Sequence, residues 1–209
     1  MKKLATLLTL VTLTSPALAK DSAQEETFDN QISVSGTLST FGVNNYEGST
    51  IKGQLRLTTL PSFWGNEKTL DVYVGGQFNQ MKNIDNSQHS RQQSELYAGF
   101  RYSVSANTYY FLEEGTLQFK EFLPEQNTVS QSGTSLRLGF QTNLLDAPFV
   151  KSSGKTLDPY LRAAIERRTL HKDEIGYQLE LGLKKVSMSY QHFPDSNEKR
   201  LNINFNVNF

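Results

Sequence analysis

The sequence predicts an all-β protein, a closed antiparallel β-barrel of about ten strands that spans a membrane. The first observation behind this prediction is alternation, because polar and apolar residues take turns along most of the chain and each segment therefore has two different faces. The second observation is length. The segments run for about 10 residues, which matches the roughly 9 to 11 that a tilted strand needs to cross a bilayer and exceeds the usual soluble strand of about 5 or 6.

The C-terminal segment shows the alternation most clearly. Leu201, Ile203, Phe205, Val207 and Phe209 form its apolar face, and asparagines fill the positions between them. Three further segments alternate as regularly, at 95–104, 135–144 and 175–184. The remaining strands are predicted at 32–41, 51–60, 70–80, 108–121, 161–169 and 186–193.

The number of strands follows from the requirement that the barrel closes. Ten is even, so both chain ends lie at one end of the barrel, and closure leaves no unpaired strand edge in lipid. Eight strands with one irregular hairpin is the alternative, because the connections at 61–68 and 146–156 are long for turns. Loops at the opposite end are predicted at 42–50, 81–92, 122–133, 170–174 and 194–199.

The first 19 residues have the pattern of a secretory signal peptide. Two lysines follow Met1, an apolar stretch begins at Leu4, and Ala17-Leu18-Ala19 matches the A-x-A cleavage pattern. A membrane anchor, the alternative, needs about 20 apolar residues, and this stretch is shorter and contains Thr, Ser and Pro. We therefore predict a cleaved signal peptide at 1–19, a short periplasmic segment at 20–30 and the barrel at 31–209.

The composition excludes several classes of function. The chain has no Cys, so a disulfide scaffold and thiolate chemistry are excluded. Basic and acidic residues are equal in number, at 21 each, so no basic surface for nucleic acid is expected. The histidines, His89, His171 and His192, fall in different loops or strand ends without carboxylates at ligand spacing, so neither a metal site nor a cofactor is predicted.

The signal peptide, the alternating segments and a last strand ending in Phe209 together resemble small Gram-negative outer-membrane β-barrel proteins of the OmpX and OmpA barrel class. The resemblance covers nearly all of the mature chain. It implies residence in the bacterial outer membrane, in contact with its lipid and lipopolysaccharide. It also implies that Leu201, Ile203, Phe205, Val207 and Phe209 form the assembly signal that the barrel-assembly machinery reads.

In such a barrel the apolar face of each strand meets lipid and the polar face lines the lumen. The charged lumen residues are then predicted to be Lys52, Arg56, Glu95, Arg101, Arg137, Arg162, Glu166 and Glu180. Because both signs occur in similar number, they predict a paired plug that fills a narrow lumen. We therefore expect a non-enzymatic structural or surface-interaction protein, with a small-solute channel as the alternative.

Glu113 and Glu114 are adjacent within the predicted fifth strand, so strict alternation turns one of them toward lipid. One solution is a bulge at 113–115, which would let Leu112, Leu117 and Phe119 all face outward. The other solution is that the strand projects beyond the bilayer. A paired acid site is a third interpretation of the same two residues.

One short segment, 190–197, suggests a hydrolase as a further alternative. It resembles, imperfectly, the His-x-Ser-Asn motif of outer-membrane lipid A deacylases, whose His, Ser and Glu act on a lipid acyl ester, and it makes His192 and Ser196 the candidate catalytic residues. Pro194 stands at the position of the nucleophile, and Ser196 comes two residues later, about 7 Å further along an extended chain. A histidine at the barrel rim is the structural alternative.

Overall fold

The computed structural model describes residues 30–61, 68–105, 107–123, 128–144, 149–150, 156–157, 159–170, 172–183 and 185–208. The predicted signal peptide at 1–19, residues 20–29 and Phe209 lie outside the described residues. The strands are β1 (Gln31–Phe41), β2 (Asn44–Pro61), β3 (Thr69–Asn83), β4 (Ser90–Ser103), β5 (Thr108–Phe122), β6 (Val129–Asn143), β7 (Phe149–Val150), β8 (Thr156–Leu157), β9 (Tyr160–Thr169), β10 (Asp173–Leu183), β11 (Val186–Phe193) and β12 (Glu198–Asn208). The described residues contain no helix that is long and apolar enough to cross a membrane.

Ten of these strands form one closed antiparallel barrel, in the order β1-β12-β11-β10-β9-β6-β5-β4-β3-β2. The pairing of β1 with β12, from Gln31 opposite Asn208 to Phe41 opposite Glu198, closes the sheet. The predicted closed barrel of ten strands is confirmed, and the eight-stranded alternative is wrong. The long connection between β6 and β9 carries the hairpin of β7 and β8, which adds to the ten strands and does not replace two of them.

The two ends of the barrel differ. We call the end where β1 begins and β12 ends the terminal end, and the opposite end the loop end. Strands extend further toward the loop end than predicted, and β2 alone has 18 residues. The outward positions of these extensions are polar, as at Glu47 and Lys82, so the alternation of polarity fades while the strand continues. The predicted loops at 42–50, 81–92, 122–133, 170–174 and 194–199 shrink to 42–43, 84–89, 123–128, 170–172 and 194–197.

The barrel is apolar outside and polar inside. On β12 the outward side chains of Ile203 and Phe205 are 50% and 58% exposed. Asp71, Glu95 and Glu113, by contrast, are among the most deeply buried side chains of the described chain. This arrangement is the reverse of a soluble protein, where large apolar side chains fill the interior and carboxylates stay on the surface.

The alternation of β5 continues without a break. Its register against β4 shows no shift, so the bulge at 113–115, one of the solutions considered for this strand, is absent, and a bulge occurs instead in β2, between Arg56 and Thr58. Glu113 faces the lumen, whereas Glu114 is exposed on the outer wall. Leu117, expected to face outward, is fully buried inside the barrel.

Candidate functional site

Arg137 on β6 is the centre of a buried ion cluster in the middle of the lumen. Its Nη1 donates to Glu113 at 2.5 Å and its Nε to Glu166 at 3.1 Å, while Nη2 lies 3.2 Å from Glu95. Arg162 donates from Nη2 to the other oxygen of Glu113 at 2.9 Å. We call these five residues the central cluster. Its members come from β4, β5, β6 and β9, so the ion pairs join four consecutive strands on one side of the lumen.

The pairing of neighbouring strands positions two of these contacts directly. Glu113 lies opposite Arg137 in the register of β5 and β6. Arg137 in turn lies opposite Glu166 in the register of β6 and β9. Opposite residues on neighbouring strands have side chains that point to the same face and meet there. The local strand register therefore places the guanidinium between two of its carboxylates.

Neutral donors complete the hydrogen bonding of the carboxylates. Glu95 accepts from the Ser135 hydroxyl at 2.5 Å and from the Gln77 amide at 2.7 Å. Glu113 accepts from the Tyr73 hydroxyl at 3.0 Å. Buried charges are tolerated only when they are paired and hydrogen-bonded, and these donors supply what the two guanidinium groups leave unfilled.

Two smaller polar sets lie nearer the terminal end. Arg101 pairs with Asp71 on the neighbouring strand, its Nε donating at 2.9 Å. Glu180 accepts from the hydroxyls of Tyr160 at 2.6 Å and Ser187 at 2.7 Å. Each carboxylate thus has hydrogen-bond donors of its own.

A second ion cluster crosses the lumen nearer the loop end. Arg168 donates to Glu174 at 2.5 Å and also pairs with Glu198. Arg200 donates from Nε to Glu198 at 2.6 Å and from Nη2 to the side chain of Gln93 at 2.5 Å. The strands that carry Arg200 and Gln93, β12 and β4, are four strands apart around the wall, so this last hydrogen bond bridges the lumen. We call Arg168, Glu174, Glu198 and Arg200 the loop-end cluster.

Aromatic rings pack around a further cation at the loop end. The guanidinium of Arg91 lies over the rings of Phe41, Tyr46 and Phe119, at 3.7, 4.8 and 5.1 Å from their centroids. Its Nε also donates to Glu121 at 2.9 Å. Guanidinium groups are attracted to the electron-rich faces of aromatic rings. This layer therefore narrows the lumen beyond the loop-end cluster, and a cavity of about 50 Å³ lies between the layer and the cluster.

Toward the terminal end the lumen holds a polar cavity of about 150 Å³. One wall consists of short side chains from β1 and β12, in which Ser33 donates to Asn206 at 2.7 Å and Ser35 to Asn204 at 2.6 Å. The cavity extends from Gln31, the first residue of β1, to Arg200 in the loop-end cluster. A volume of this size holds on the order of ten water molecules.

The predicted lumen residues fall into three groups. Glu95, Arg137, Arg162 and Glu166 meet in the central cluster. Arg101 and Glu180 are bound by partners outside that cluster. Lys52 and Arg56 make no ion pair within the described ranges; the Lys52 ammonium lies 5.7 Å from the centroid of the Tyr97 ring.

Several charged residues of the lumen were not among the lumen residues predicted from the sequence. They are Asp71, Arg91, Glu113, Arg168, Glu174, Glu198 and Arg200. Three of them continue the phase of a residue that was recognised, namely Arg91 on β4, Arg168 on β9 and Glu174 on β10. For these the alternation contained the signal. Of the loop-end cluster, only Arg168 lies within a predicted strand, and Glu174, Glu198 and Arg200 lie just outside the predicted strands.

His192 and Ser196, the candidate catalytic residues, face opposite sides of the wall. The His192 ring lies on the outer surface, with its centroid 5.4 Å from that of the exposed Tyr177. Ser196 accepts a hydrogen bond from the lumen residue Arg168 at 3.4 Å. No hydrogen bond joins His192 to Ser196 in the described part of the chain. Since a nucleophilic serine needs its base within hydrogen-bond reach, this arrangement does not form a catalytic pair.

No protein-family model and no curated protein matches the chain. Among solved structures, the chain is similar to the β domain of the Bordetella autotransporter BrkA, with a TM-score of 0.44, 9% identity, and coverage of 87% of this chain and 99% of that chain. The transport unit of the Escherichia coli autotransporter AIDA-I has a TM-score of 0.41 and 8% identity, with 98% and 97% covered. The KdgM porin has a TM-score of 0.35 and 11% identity, with 85% and 99% covered.

The geometry of the chain itself defines its class. A closed antiparallel barrel with an apolar outer wall and a polar lumen is the architecture of an outer-membrane β-barrel. Closure provides hydrogen-bond partners for the backbone groups at every strand edge. The apolar residues on the outside of the barrel suit a wall that contacts lipid. The described structure therefore has the fold of an outer-membrane β-barrel, here with ten strands and a lumen that contains two ion clusters.

Proposed function

We propose that the protein is a bacterial outer-membrane barrel with a sealed lumen, acting as a structural or surface-interaction protein. The observation that carries the proposal is the loop-end cluster, in which Arg200 bridges the lumen to Gln93. The terminal end then faces the periplasm and the loop end faces the outside. Within this orientation the polar cavity lies on the periplasmic side of the loop-end cluster and extends to Arg200.

The outer wall supports placement in a membrane. On β12 alone, Leu201, Ile203, Phe205 and Val207 are 37 to 64% exposed. Contiguous apolar surface of this kind is rare on soluble monomers. The expected partners are therefore outer-membrane lipid and lipopolysaccharide around the wall, and the barrel-assembly machinery during biogenesis. Fractionation of cells tests this placement, since recovery in the soluble periplasmic fraction would contradict it.

The filled lumen supports a non-conducting role. Ions crossing the barrel would have to displace both the hydrogen bond between Arg200 and Gln93 and the aromatic layer around Arg91. A barrel of about eight strands has an interior just wide enough for side chains to fill, and the ten strands of this barrel are far closer to that number than to the roughly 16 to 18 strands of porins with an aqueous channel. Paired charges of both signs, moreover, offer no selectivity to a passing solute.

Single-channel recording in planar bilayers tests the seal. We expect no steady conductance from the wild type, and open channels from the triple variant Arg91→Ser/Arg168→Ser/Arg200→Ser, which removes the long side chains of both layers from the lumen. The matched control Lys82→Ser/Lys120→Ser/Lys199→Ser removes three exposed outward cations and should stay closed. Steady conductance of the wild type would overturn the proposal in favour of a small-solute channel.

A further inference from the structure

Three outward side chains on neighbouring strands lie at the loop-end edge of the apolar wall, where β12 and β1 close the barrel. Lys199 on β12 is opposite His192 on β11 and opposite Thr40 on β1. Leu201 and Leu38 are the next outward residues toward the terminal end, and both are apolar and exposed. Strand tilt changes the height along this row by only about 4 Å per strand, so the three side chains can reach one lipid headgroup.

The ammonium of Lys199 is free to bind an anion. Lys199 is exposed and makes no ion pair within the described ranges, and its partners in register carry an imidazole and a hydroxyl. Its neighbour Glu198 faces the lumen, where it binds Arg168 and Arg200. A phosphate accepts hydrogen bonds from an ammonium and from a hydroxyl, and bonds to ionised groups are the stronger ones. The row therefore suits a phosphate at the membrane surface.

Three rings lie beside this cation on the outer wall. The centroids of Tyr177, Tyr190 and His192 are 5.4 to 6.4 Å apart, and we call these residues the ring cluster. His192 donates from Nδ1 to the backbone carbonyl of Glu198 at 3.1 Å, so its Nε2 is left as an acceptor. Aromatic rings at the membrane surface present an apolar face and a polar edge. The ring cluster therefore suits a sugar, which offers hydroxyl donors and C–H surfaces in one ring.

Below this row, toward the terminal end, the outer wall is concave. A groove of about 580 Å³ has an apolar side formed by Gly36, Leu38, Leu201 and Ile203. A side chain added at Gly36 would meet open space, and the apolar side is continuous with the lipid-facing wall, so it suits an acyl chain. On the other side Glu47 lies opposite Lys82 in register, so these two charges offset each other. The volume matches that of small-ligand sites, which is about 300 to 1,000 Å³.

We propose that this part of the outer wall is a binding site for lipid A, the phosphorylated glycolipid anchor of lipopolysaccharide. Lys199 and Thr40 bind a phosphate, the ring cluster contacts the adjoining glucosamine, and one acyl chain lies in the groove over Gly36. The inference rests on the proposed membrane location with the loop end facing outside, because lipopolysaccharide occupies the outer leaflet. It is independent of whether the lumen conducts, since every contact is on the outer wall.

Native mass spectrometry of the folded, detergent-solubilised protein tests the site, with diphosphorylated lipid A as the probe. We expect Lys199→Gln to weaken the binding of lipid A by about tenfold, because a charge-assisted hydrogen bond is lost. The matched control is Lys120→Gln, which removes an exposed outward cation of β5 and should leave the affinity unchanged. Equal affinities of the two variants would overturn the proposal.

Filling the groove tests the place of the acyl chain. We expect Gly36→Trp to weaken the binding of lipid A by about tenfold, because the indole would occupy the groove. The matched control is Gly53→Trp on β2, since Gly53 also borders open space but does not line the groove. Equal affinities of these two variants would contradict the proposed site.

Phosphatidylglycerol and dephosphorylated lipid A distinguish a lipid A site from general contact with lipid. We expect each to bind the wild type about tenfold more weakly than diphosphorylated lipid A. Equal binding of phosphatidylglycerol would show a general contact with anionic lipid and would overturn the proposal. Recovery of the wild type in the soluble periplasmic fraction would contradict the proposed location, whereas a folded membrane barrel that does not discriminate among these lipids would contradict the site alone.

Discussion

At the scale of single residues, the lumen depends on what one guanidinium can do. Arg137 reaches Glu95, Glu113 and Glu166 from three nitrogens, and each carboxylate comes from a different strand. Lysine could not replace it, because an ammonium is a compact point charge whereas the planar guanidinium fork presents donors in several fixed directions. The middle of the barrel is thus cross-linked by a single side chain.

Removing that side chain leaves three buried carboxylates with too few cations. We expect Arg137→Met to lower the free energy of unfolding by roughly 3 to 5 kcal/mol, measured by urea titration of the protein refolded into lipid vesicles. The matched control is Lys120→Met, which removes an exposed cation and should change stability by less than about 0.5 kcal/mol.

The size of the Arg137→Met effect distinguishes two kinds of lumen. Charges in a dry interior are poorly screened, whereas solvent-exposed pairs are worth about 1 kcal/mol or less. A loss below about 1 kcal/mol would therefore show that water surrounds the central cluster and that the paired plug is wrong.

At the scale of the strand, β5 shows how ion pairing in the lumen determines which side chains of a strand face inward. Hydropathy favours turning Leu117 and Phe119 toward lipid, but both lie inside, at 0% and 7% exposure. Glu113 shares their phase and binds both Arg137 and Arg162. In the lumen the Glu113 carboxylate is paired with two arginines. Because side chains alternate along the strand, the neighbouring Glu114 then faces outward.

Cysteine labelling tests the phase of β5. We expect Leu112→Cys to react rapidly with a membrane-permeable maleimide in the folded, detergent-solubilised protein, because this position is on the outer wall. Leu117→Cys should react only after unfolding, since its side chain is fully buried. Equal labelling of the two variants in folded protein would contradict the continuous register of the strand.

The last strand, β12, combines two roles. Its asparagines bond to serines of β1 and β11, as Asn204 accepts from Ser35 and donates to Ser187, while its apolar residues face outward. The predicted assembly signal is this outward row with Phe209 at its end. Pairing with β1 uses the backbone edge of β12 and not its apolar face. This apolar face can therefore contact a partner before β1 and β12 pair to close the barrel.

Deletion of Phe209 should affect assembly more than stability. One terminal Phe contributes at most about 1.5 to 3 kcal/mol of burial, so refolding into detergent in vitro should change little. The amount of folded protein in the outer membrane of cells should fall clearly, as measured by blotting of membrane fractions. Equal amounts for the deletion and the wild type would argue against an assembly signal.

At the scale of the whole molecule, closure dominates. β1 and β12 pair over eleven residues each, so the barrel has no free edge from which strands can peel. In a membrane, closure has a second consequence, because it lets every backbone polar group in the hydrocarbon region form its hydrogen bond within the protein.

A closed barrel should resist detergent denaturation. We expect the protein to keep its fold in SDS at room temperature and to migrate differently on a gel after boiling, since unfolding must break a complete ring of strand pairs. Gel electrophoresis with and without heating measures this directly. Identical migration of the two samples would indicate an open sheet.

The sequence by itself determined the strands and the barrel. Alternation with period 2 is a local property, so ten two-faced segments could be recognised and closure inferred from their even number. The same alternation marked Glu95, Arg137, Arg162 and Glu166 as lumen residues. The alternation did not predict the strand extensions toward the loop end, because the outward residues there are polar and the two faces of the strand no longer differ in polarity.

Only the tertiary structure decided which charges meet and how the lumen closes. Arg200 and Gln93 are 107 residues apart in the chain and become partners through strand register and barrel curvature. Glu113 and Glu114 are chemically identical neighbours, and position relative to Arg137 and Arg162 alone gave one the lumen and the other the outer wall. The physical reason is range: side-chain direction is set by the adjacent backbone, whereas ion pairing depends on distances between strands that no local pattern encodes.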